Sequence, residues 1–466
     1  MIDLLWLFLS ILLIVAMIVG MRLHPAVALV IGTLVLGVLT RVPLPDLAGV
    51  ATGGFGELMA GIGLSVGFGV ILGQLLSDSG GARRIARTLV NATSERFAMY
   101  GVAGAAFLLS IPVFYDVTFV ILVPLALAIA REAGKPLPLA VGVVALGAGT
   151  AHTLVPPTPN PLAAGEIMGF DPGMMLLVGG VGALIAVVLA VAVYSSVLPK
   201  VWRPAWDEDR EAVPAAVGGG GAGGGASGAA EASAGAGGGA AADGREPGFL
   251  LAMLPLLTPI LLIFTGTVWT ALDGGMPGWL AFATDKTTAL LLGVLVAYAV
   301  AARTMDRQAR DASAATAVQQ AGIVLLVTGA GGAFGAVIQA AGIGDLIADS
   351  VSAFGGNVVL ALLTCYAVGV AFRVATGSGT VASITTMTIM ASVAGAIGVH
   401  PVWVAMSCLS GALALGQLND SGFWIAVKLP GFTVSGGFKT YTLAQTIASV
   451  FALAVSVAGA LVIPMG

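Results

Sequence analysis

Long apolar runs separated by short polar segments recur along the whole chain. A helix needs about 20 apolar residues to cross the hydrocarbon core of a bilayer. The runs that reach or approach this length are residues 4–21, 26–40, 62–76, 174–198, 249–271, 287–302, 322–341 and 442–464. Because these runs lack the strict alternation of a half-buried strand, the pattern predicts an all-α polytopic membrane protein.

Two longer apolar stretches, 98–130 and 357–397, are interrupted near their middles. Pro112 and Asp116 interrupt the first stretch, and Arg373 with the segment 376–380 interrupts the second. Each half is short for a complete crossing, so we expect each stretch to form a re-entrant helical hairpin.

The basic residues predict the side from which each hairpin enters, because Lys and Arg accumulate on the cytoplasmic side of a membrane. The first stretch is flanked by Arg83, Arg84, Arg87, Arg96, Arg131 and Lys135, whereas the second has Asp345 and Asp349 nearby instead. We therefore expect the hairpins to enter from opposite faces. The resulting topology places both termini outside and all basic residues except Arg41, Lys286 and Arg373 inside or at the cytoplasmic surface.

The two parts of the chain also repeat each other at an offset of 262 residues. The residues Gly69, Gly73, Gly80, Ile85 and Ala86 recur as Gly331, Gly335, Gly342, Ile347 and Ala348. With the opposed hairpins, this pattern predicts two inverted repeats, 1–198 and 249–466, as in many secondary transporters. Each repeat would hold five transmembrane helices and one re-entrant hairpin, and one of the five, over 137–170 or 401–428, would be broken at the midplane. The Gly/Ala-rich segment 199–248 is predicted to be a flexible cytoplasmic linker.

The amino-acid composition excludes several classes of protein. Hydrophobic residues make up 58% of the 466 positions and charged residues 9%, against roughly 25% charged in ordinary soluble domains. This excludes a soluble enzyme, a nucleic-acid binder and a disulfide-framed secreted domain. Cys365 and Cys408 lie in apolar segments and are interpreted as small hydrophobic residues. We expect no metal and no cofactor.

The candidate chemistry lies at four breaks, because non-helical backbone at membrane depth must face protein or a water-filled cavity. The breaks are residues 112–118, 152–161, 376–380 and 416–422. Half-helices that begin at such breaks aim positive N-terminal amides at one point, which suits a substrate carboxylate. The oxygens of Thr118, Ser378, Thr380 and Ser421 either contact substrate or only cap helices.

Two charged residues at the hairpin tips are the most informative. A charge at membrane depth costs at least ~2.5 to 3.5 kcal/mol on insertion scales and is usually retained for an ion path, a substrate or a partner. Arg373 is the candidate anchor for a carboxylate and Asp116 the candidate proton carrier; alternatively, they pair with each other as a structural bridge. Asp420, next to Asn419, is a second candidate carboxylate. His152 either shares the proton transfer or bridges helices.

At these breaks the sequence resembles the gluconate permease family of proton symporters. The resemblance covers nearly the whole chain outside the linker and rests on four motifs, residues 111–125, 152–161, 373–382 and 419–424. Thr158 and Asn160 replace a His and a Gly of the family pattern, and Tyr115 and Thr118 stand where Phe or Val and Gly are usual.

The resemblance implies a bacterial inner-membrane importer of sugar acids or small hydroxy or amino acids. It also implies a scaffold domain, a moving transport domain with paired hairpins, and a homodimeric elevator. The substrate-binding candidates are Arg373, Ser378, Thr380, Thr118, Asn160, Asn419 and Ser421, and the proton-coupling candidates are Asp116, His152 and Asp420.

The hypothesis from sequence is therefore proton-coupled import of gluconate or a related small hydroxy-carboxylate. A sodium-coupled symporter is an alternative, because the Ser, Thr and Asn oxygens at the tips could hold that ion. An anion channel could also use broken helices. The enzyme class is disfavoured because the chain carries neither a metal-ligand pattern nor a nucleophile with a paired base.

Overall fold

The computed structural model describes residues 2–209, 246–272, 275–353 and 357–465. These residues form helices with short connections and one isolated bridge between Glu208 and Phe432. The centre of the predicted linker, residues 210–245, lies outside the described residues.

The first part of the chain contains α1 Ile2–Val19, α2 Pro25–Leu39, α3 Leu44–Asp78, α4 Gly81–Asn91, α5 Ala98–Leu109, α6 Tyr115–Glu132, α7 Leu137–Leu154, α8 Pro159–Met168, α9 Pro172–Val201 and the short α10 Pro204–Asp207. The second part contains α11 Phe249–Ala271, α12 Gly278–Thr284, α13 Lys286–Ala301, α14 Arg307–Ala340, α15 Ile343–Ala353, α16 Val358–Thr376, α17 Gly379–Met390, α18 Val393–Ile397, α19 Pro401–Leu413, α20 Ser421–Lys428 and α21 Val434–Val462.

The helices make the chain a multi-pass membrane protein. In the described ranges, seven helical segments are long and apolar enough to cross a bilayer, and eight if α12 and α13, which meet at 67°, form one span. The all-helical prediction is therefore confirmed. One detail differs: α16 alone has 19 residues and qualifies as a span, although the sequence pattern treats both halves of the stretch 357–397 as short.

Two helices are much longer than the apolar runs that predicted them. α3 has 35 residues and α14 has 34, because each continues beyond its apolar run into glycine-rich or polar sequence. The two helices pack side by side, and the backbones approach closely at Gly54 and Gly332. A Cβ added at either glycine would lie 2.7 Å from the carbonyl oxygen of the other. Small residues at this crossing therefore permit the backbone contact that drives helix association in membranes.

In the described residues, helices α1–α9 correspond in order to α11, α13–α17 and α19–α21, while the short helices α10, α12 and α18 have no counterpart. α4 and α15 begin 262 residues apart, and so do α8 and α20. α9 and α21 each contain a π-helical turn, Met175–Gly179 and Phe438–Thr442. The sequence offset is thus matched by the bounds of secondary structure.

Each predicted break is a break in the structure. The non-helical residues are 110–114 between α5 and α6, 155–158 between α7 and α8, 377–378 between α16 and α17, and 414–420 between α19 and α20. The two tip charges are not in the non-helical backbone itself. Asp116 lies in the first turn of α6, and Arg373 lies in the last turn of α16, which ends at Gly377 in the left-handed conformation.

The described start of the predicted linker is docked onto the second part of the chain. α9 extends to Val201, and the following residues pack against 431–439 through the buried carboxylate of Asp207. That carboxylate accepts hydrogen bonds from the Arg203 amide at 2.6 Å, the Ser435 hydroxyl at 2.6 Å and the Lys439 ammonium at 2.7 Å. The Thr433 amide donates to the Asp207 carbonyl at 3.0 Å.

We predict that Asp207→Asn lowers the stability of the protein by about 1–3 kcal/mol, because it removes a hydrogen-bonded charge opposite Lys439. Burial alone would raise the pKa of Asp207, but the hydrogen bonds from Lys439, Ser435 and the Arg203 amide outweigh it, and the pKa is lowered. This stabilisation is present above the unfolded pKa of about 3.9 and is lost as the pH falls through the folded value.

The measurement is the midpoint of thermal unfolding of detergent-purified protein between pH 7 and pH 3. The deficit of Asp207→Asn should be full at neutral pH and shrink below about pH 4. Glu208→Gln, an exposed neighbour, serves as the matched control and should unfold like the wild type. Equal midpoints for the two variants at pH 7 would contradict the prediction.

Candidate functional site

A buried ion pair joins the two breaks of the second part of the chain. Arg373, near the end of α16, donates from Nη2 to Oδ2 of Asp420, the residue that precedes α20. The two side chains are only 7% and 9% exposed. The phenol of Tyr441, in the π-helical turn of α21, donates to the same carboxylate oxygen at 2.6 Å and accepts from Arg373 Nη2 at 3.3 Å. Three separate helices therefore meet through one charged cluster.

Asp420 has a second structural role. Its other oxygen, Oδ1, accepts a hydrogen bond from the Gly422 amide at 3.0 Å and so caps the N-terminus of α20. A carboxylate at this position is stabilised by the partial positive charge of the helix end. The same side chain therefore begins a half-helix and neutralises Arg373.

A side-chain hydrogen bond and a close backbone approach also join the breaks at 376–380 and 416–422. The Asn419 amide side chain donates to the Val374 carbonyl at 2.9 Å. Gly377 has φ +70, and a Cβ there would lie 2.2 Å from the carbonyl oxygen of Asn419. A glycine is required at this position for both its conformation and its close approach.

The hydroxyl candidates differ in their surroundings. Ser378 caps α17, because its Oγ accepts from the Val381 amide at 3.3 Å. Thr118 is buried, and its hydroxyl has no hydrogen-bond partner in the described residues. Thr380 and Ser421 occupy the first turns of α17 and α20, with partly or fully exposed side chains. Ser378 therefore caps a helix, as one of the two interpretations expects. The hydroxyl of Thr118 caps no helix in the described residues and is free to donate a hydrogen bond.

The first part of the chain contributes Tyr115 and Asp116 to the same region. The Tyr115 ring packs edge-on against the Tyr441 ring, with centroids 6.0 Å apart. Asp116 interacts electrostatically with both Asp420 and Arg373 but forms no hydrogen bond or ion pair within the described ranges. The proposed bridge between Asp116 and Arg373 is therefore wrong in this structure, because Asp420 lies directly against the guanidinium.

His152 lies at a separate break, beside the tip of the first interrupted stretch. Its ring centroid is 5.8 Å from that of Phe114, and its Nδ1 is buried without a partner among the described residues. Together with Pro112 and Thr158 it lines a small cavity that has room for about one water molecule. Asn160, the second residue of α8, has a buried side-chain oxygen that has no partner in the described ranges. Within the described residues, no hydrogen bond or ion pair connects His152 or Asn160 to Arg373.

Along α17 lie buried hydroxyls that have no hydrogen-bond partner in the part of the chain that the structure describes. They belong to Ser383, Thr385, Thr386 and Thr388. Because buried polar groups are normally hydrogen-bonded, these side chains offer unused donors and acceptors directly after the break that follows Arg373 and α16. α17 packs against α8, so this row and Asn160 lie on neighbouring helices.

Sequence reasoning found most of this cluster but missed Tyr441. The residue stands at the edge of the predicted apolar run 442–464 and looks like an ordinary interfacial tyrosine. Its role depends on the π-helical turn, which carries no recognisable sequence signal here. The assignment of Asp420 only to proton coupling also omitted its pairing with Arg373, a contact between residues 47 positions apart.

Comparison with known proteins gives a consistent result. A family model described as GntP family permease matches residues 2–220 and 224–462. The chain is 31% identical over 447 residues to a gluconate permease of Pseudomonas aeruginosa, covering 94% of this chain and 93% of that protein. It is 30% identical over 446 residues to the inner membrane permease YgbN of Escherichia coli K12, covering 94% of each. These relatives are transport proteins, not enzymes.

Among solved structures, the fold is similar to that of MtrF of Neisseria gonorrhoeae, whose structure is described as illuminating a class of antimetabolite efflux pumps. The TM-score is 0.63 and the sequence identity 12%, and the match covers 91% of this chain and 86% of that one. At this identity the similarity concerns the fold alone.

We predict strong energetic coupling between Arg373 and Asp420. Removing one partner leaves the other buried and uncompensated, which costs about 3–5 kcal/mol. Arg373→Met and Asp420→Asn should each lower the unfolding midpoint substantially, while the double variant should lose much less than the sum of the two. Asparagine retains an oxygen that can cap α20.

The control is the same cycle on Arg307 and Asp311, an ion pair whose side chains are 90% and 69% exposed. Its coupling should be below about 1 kcal/mol. Additive effects at Arg373 and Asp420, measured by thermal unfolding in the same detergent, would show that the pair is not a unit.

Proposed function

Because this chain belongs to the GntP permease family, we propose that it is a secondary active transporter that imports gluconate or a related small hydroxy-carboxylate by proton symport. The observation that carries the proposal is a buried guanidinium with donors to spare, placed where half-helices begin. The name of the Pseudomonas aeruginosa relative supports gluconate as the substrate to test first.

Arg373 is suited to hold the substrate carboxylate. Nη2 donates hydrogen bonds to Asp420 and Tyr441, whereas Nη1 makes a single long contact of 3.5 Å, to the Gly377 carbonyl, among the described residues. Nε is buried and has no partner in the described part of the chain. The guanidinium therefore keeps donors free for a planar, bidentate interaction with a carboxylate. The N-termini of α17 and α20 add partial positive charge at the same breaks.

The hydroxyl groups of a sugar acid would be bound by the polar side chains at the breaks. We assign this role to Ser378, Thr380, Thr118, Asn160, Asn419 and Ser421. Two of them, Thr118 and Asn160, have buried oxygens without a partner among the described residues, and hydrogen bonds to substrate hydroxyls would satisfy them.

Electrostatics would couple the proton to the substrate. With both carboxylates ionised, Asp116, Arg373 and Asp420 carry one net negative charge, and an anionic substrate would add another. Protonation of Asp116 removes its repulsion of the incoming anion, so each ligand favours binding of the other. Asp420 already caps α20 and pairs with Arg373, so Asp116 is the primary proton carrier. His152, which lines the small cavity, is the secondary proton carrier.

The proposal includes the membrane arrangement. Two inverted repeats with re-entrant hairpins would bring the breaks together from opposite faces, with both termini external and the linker cytoplasmic. The matched order of elements at the 262-residue offset supports two repeats. The name of the Escherichia coli relative supports an inner-membrane location. A homodimeric, elevator-type movement of the domain that carries the site would complete the cycle.

Sodium coupling is the second candidate, favoured by the unpartnered hydroxyls of Ser383, Thr385, Thr386 and Thr388 on α17. Hydroxyl and carbonyl oxygens are ligands for hard cations. An anion channel is the remaining alternative and differs because it cannot accumulate substrate against a gradient.

The test is uptake of labelled gluconate by proteoliposomes with an inward proton gradient. We expect saturable accumulation above equilibrium that collapses with a protonophore and persists when choline replaces sodium. Parallel assays with glycerate, 3-hydroxybutyrate and serine identify the carboxylate preferred. Accumulation that requires sodium would replace the proton mechanism, and mere equilibration would indicate a channel.

We predict that Asp116→Asn retains substrate binding but loses accumulation driven by a proton gradient, because asparagine has the shape of a protonated aspartate and cannot release the proton. Binding is measured by calorimetry and accumulation in proteoliposomes. Asp46→Asn, on an exposed first turn of α3, is the control. Undiminished gradient-driven accumulation by Asp116→Asn would remove this residue from proton transfer.

A further inference from the structure

A second cavity, which shares no lining residue with the Arg373 cluster, lies where α9 ends and α21 begins. Its volume is about 410 Å³, and it is lined by Lys200, Val201, Arg203, Trp206, Ser435 and Lys439. Two parts of the chain that are far apart in sequence form its walls, held together by the buried Asp207 carboxylate.

The cavity has an excess of positive charge. Lys439 is paired with Asp207. Lys200 and Arg203 have exposed side chains and form no ion pair with any carboxylate in the ranges that the structure describes. Three cations therefore face one carboxylate that is already saturated with donors. An anion that entered the cavity would meet two cations not neutralised by the protein.

The position of the cavity relative to the membrane favours one class of anion, the headgroups of anionic lipids. Lys200 lies in the last turn of α9, a candidate membrane span. Trp206, four residues after Trp202, is 73% exposed, and tryptophan is enriched at the level of the lipid headgroups. Because Lys and Arg accumulate on the cytoplasmic side of a membrane, we expect this face to be cytoplasmic, where the leaflet carries anionic lipids.

We propose that this cavity is a binding site for a phosphate-bearing anion, with the headgroup of an anionic phospholipid as its source. The Arg203 guanidinium offers a planar fork to phosphate oxygens, and the Lys200 and Lys439 ammonium groups complement it as point charges. The exposed indole of Trp206 would lie against the glycerol and upper acyl region of the lipid. The site requires no transport chemistry and shares no lining residue with the proposed substrate site.

The test measures binding directly. Purified, delipidated protein is titrated with short-chain phosphatidylglycerol, phosphatidylcholine or inorganic phosphate, with native mass spectrometry and the unfolding midpoint as readouts. We expect phosphatidylglycerol to bind and to raise the midpoint, since a ligand of the folded state stabilises it. Phosphatidylcholine, which has no net charge, should have a much smaller effect.

The variant is the double substitution Lys200→Gln with Arg203→Gln, which leaves the Asp207–Lys439 pair intact. It should weaken phosphatidylglycerol binding by about tenfold or more, the loss expected for one or two charge-assisted hydrogen bonds. The control is Arg131→Gln with Arg303→Gln, two exposed basic residues that line neither the cavity nor the substrate site. The control should bind as the wild type does.

Two arms distinguish the source of the phosphate. Binding of phosphatidylglycerol without an effect of inorganic phosphate supports a lipid site. Stabilisation by inorganic phosphate alone, lost in the double variant, supports a site for a free phosphate ion. Equal binding by the double variant and its control, or no binding of either ligand, overturns the proposal. Because neither readout measures transport, this result is independent of the proposed function.

Discussion

A guanidinium buried inside the protein must be neutralised, and this requirement organises the region where the breaks of the second part of the chain meet. Arg373 ends one helix, Asp420 begins another, and Tyr441 joins them from a third. An uncompensated charge in such surroundings would cost several kcal/mol. The three helices are thus fixed relative to one another by a polar interaction, in a molecule whose remaining contacts are mostly apolar and give little directional preference.

The dual use of Asp420 explains how a broken helix can be stable. The break between α19 and α20 exposes amides that lack partners within the helix. Asp420 satisfies one of them and simultaneously pairs with Arg373, so the cap and the ion pair depend on the same side chain. The Asn419 amide closes the neighbouring break by binding the Val374 carbonyl. Backbone that would be unstable in lipid is in this way satisfied by protein, as membrane structures require.

Sequence predicted most of the helices and all four breaks, because each depends on local signals. Apolar runs mark spans, and Pro112, Pro156 and Gly377 are residues that end or interrupt helices. The full lengths of α3 and α14 were not predictable, because glycines such as Gly54 look unfavourable in a helix until a partner backbone packs against them. The pairing of Arg373 with Asp420 and the docking of Asp207 on Lys439 are contacts between distant residues. Periodicity carries no information about such contacts.

The π-helical turn at Phe438–Thr442 makes the contact between Tyr441 and Asp420 depend on the number of residues in α21. A π turn holds one residue more than the α-helical turn it replaces, and one residue rotates a helix by about 100°. Loss of a single residue there would leave an uninterrupted apolar span that still crosses the bilayer. The Tyr441 phenol would then face a different neighbour, and the charged cluster would lose its third member. The register of an otherwise featureless hydrophobic helix is therefore part of the information that builds the polar centre.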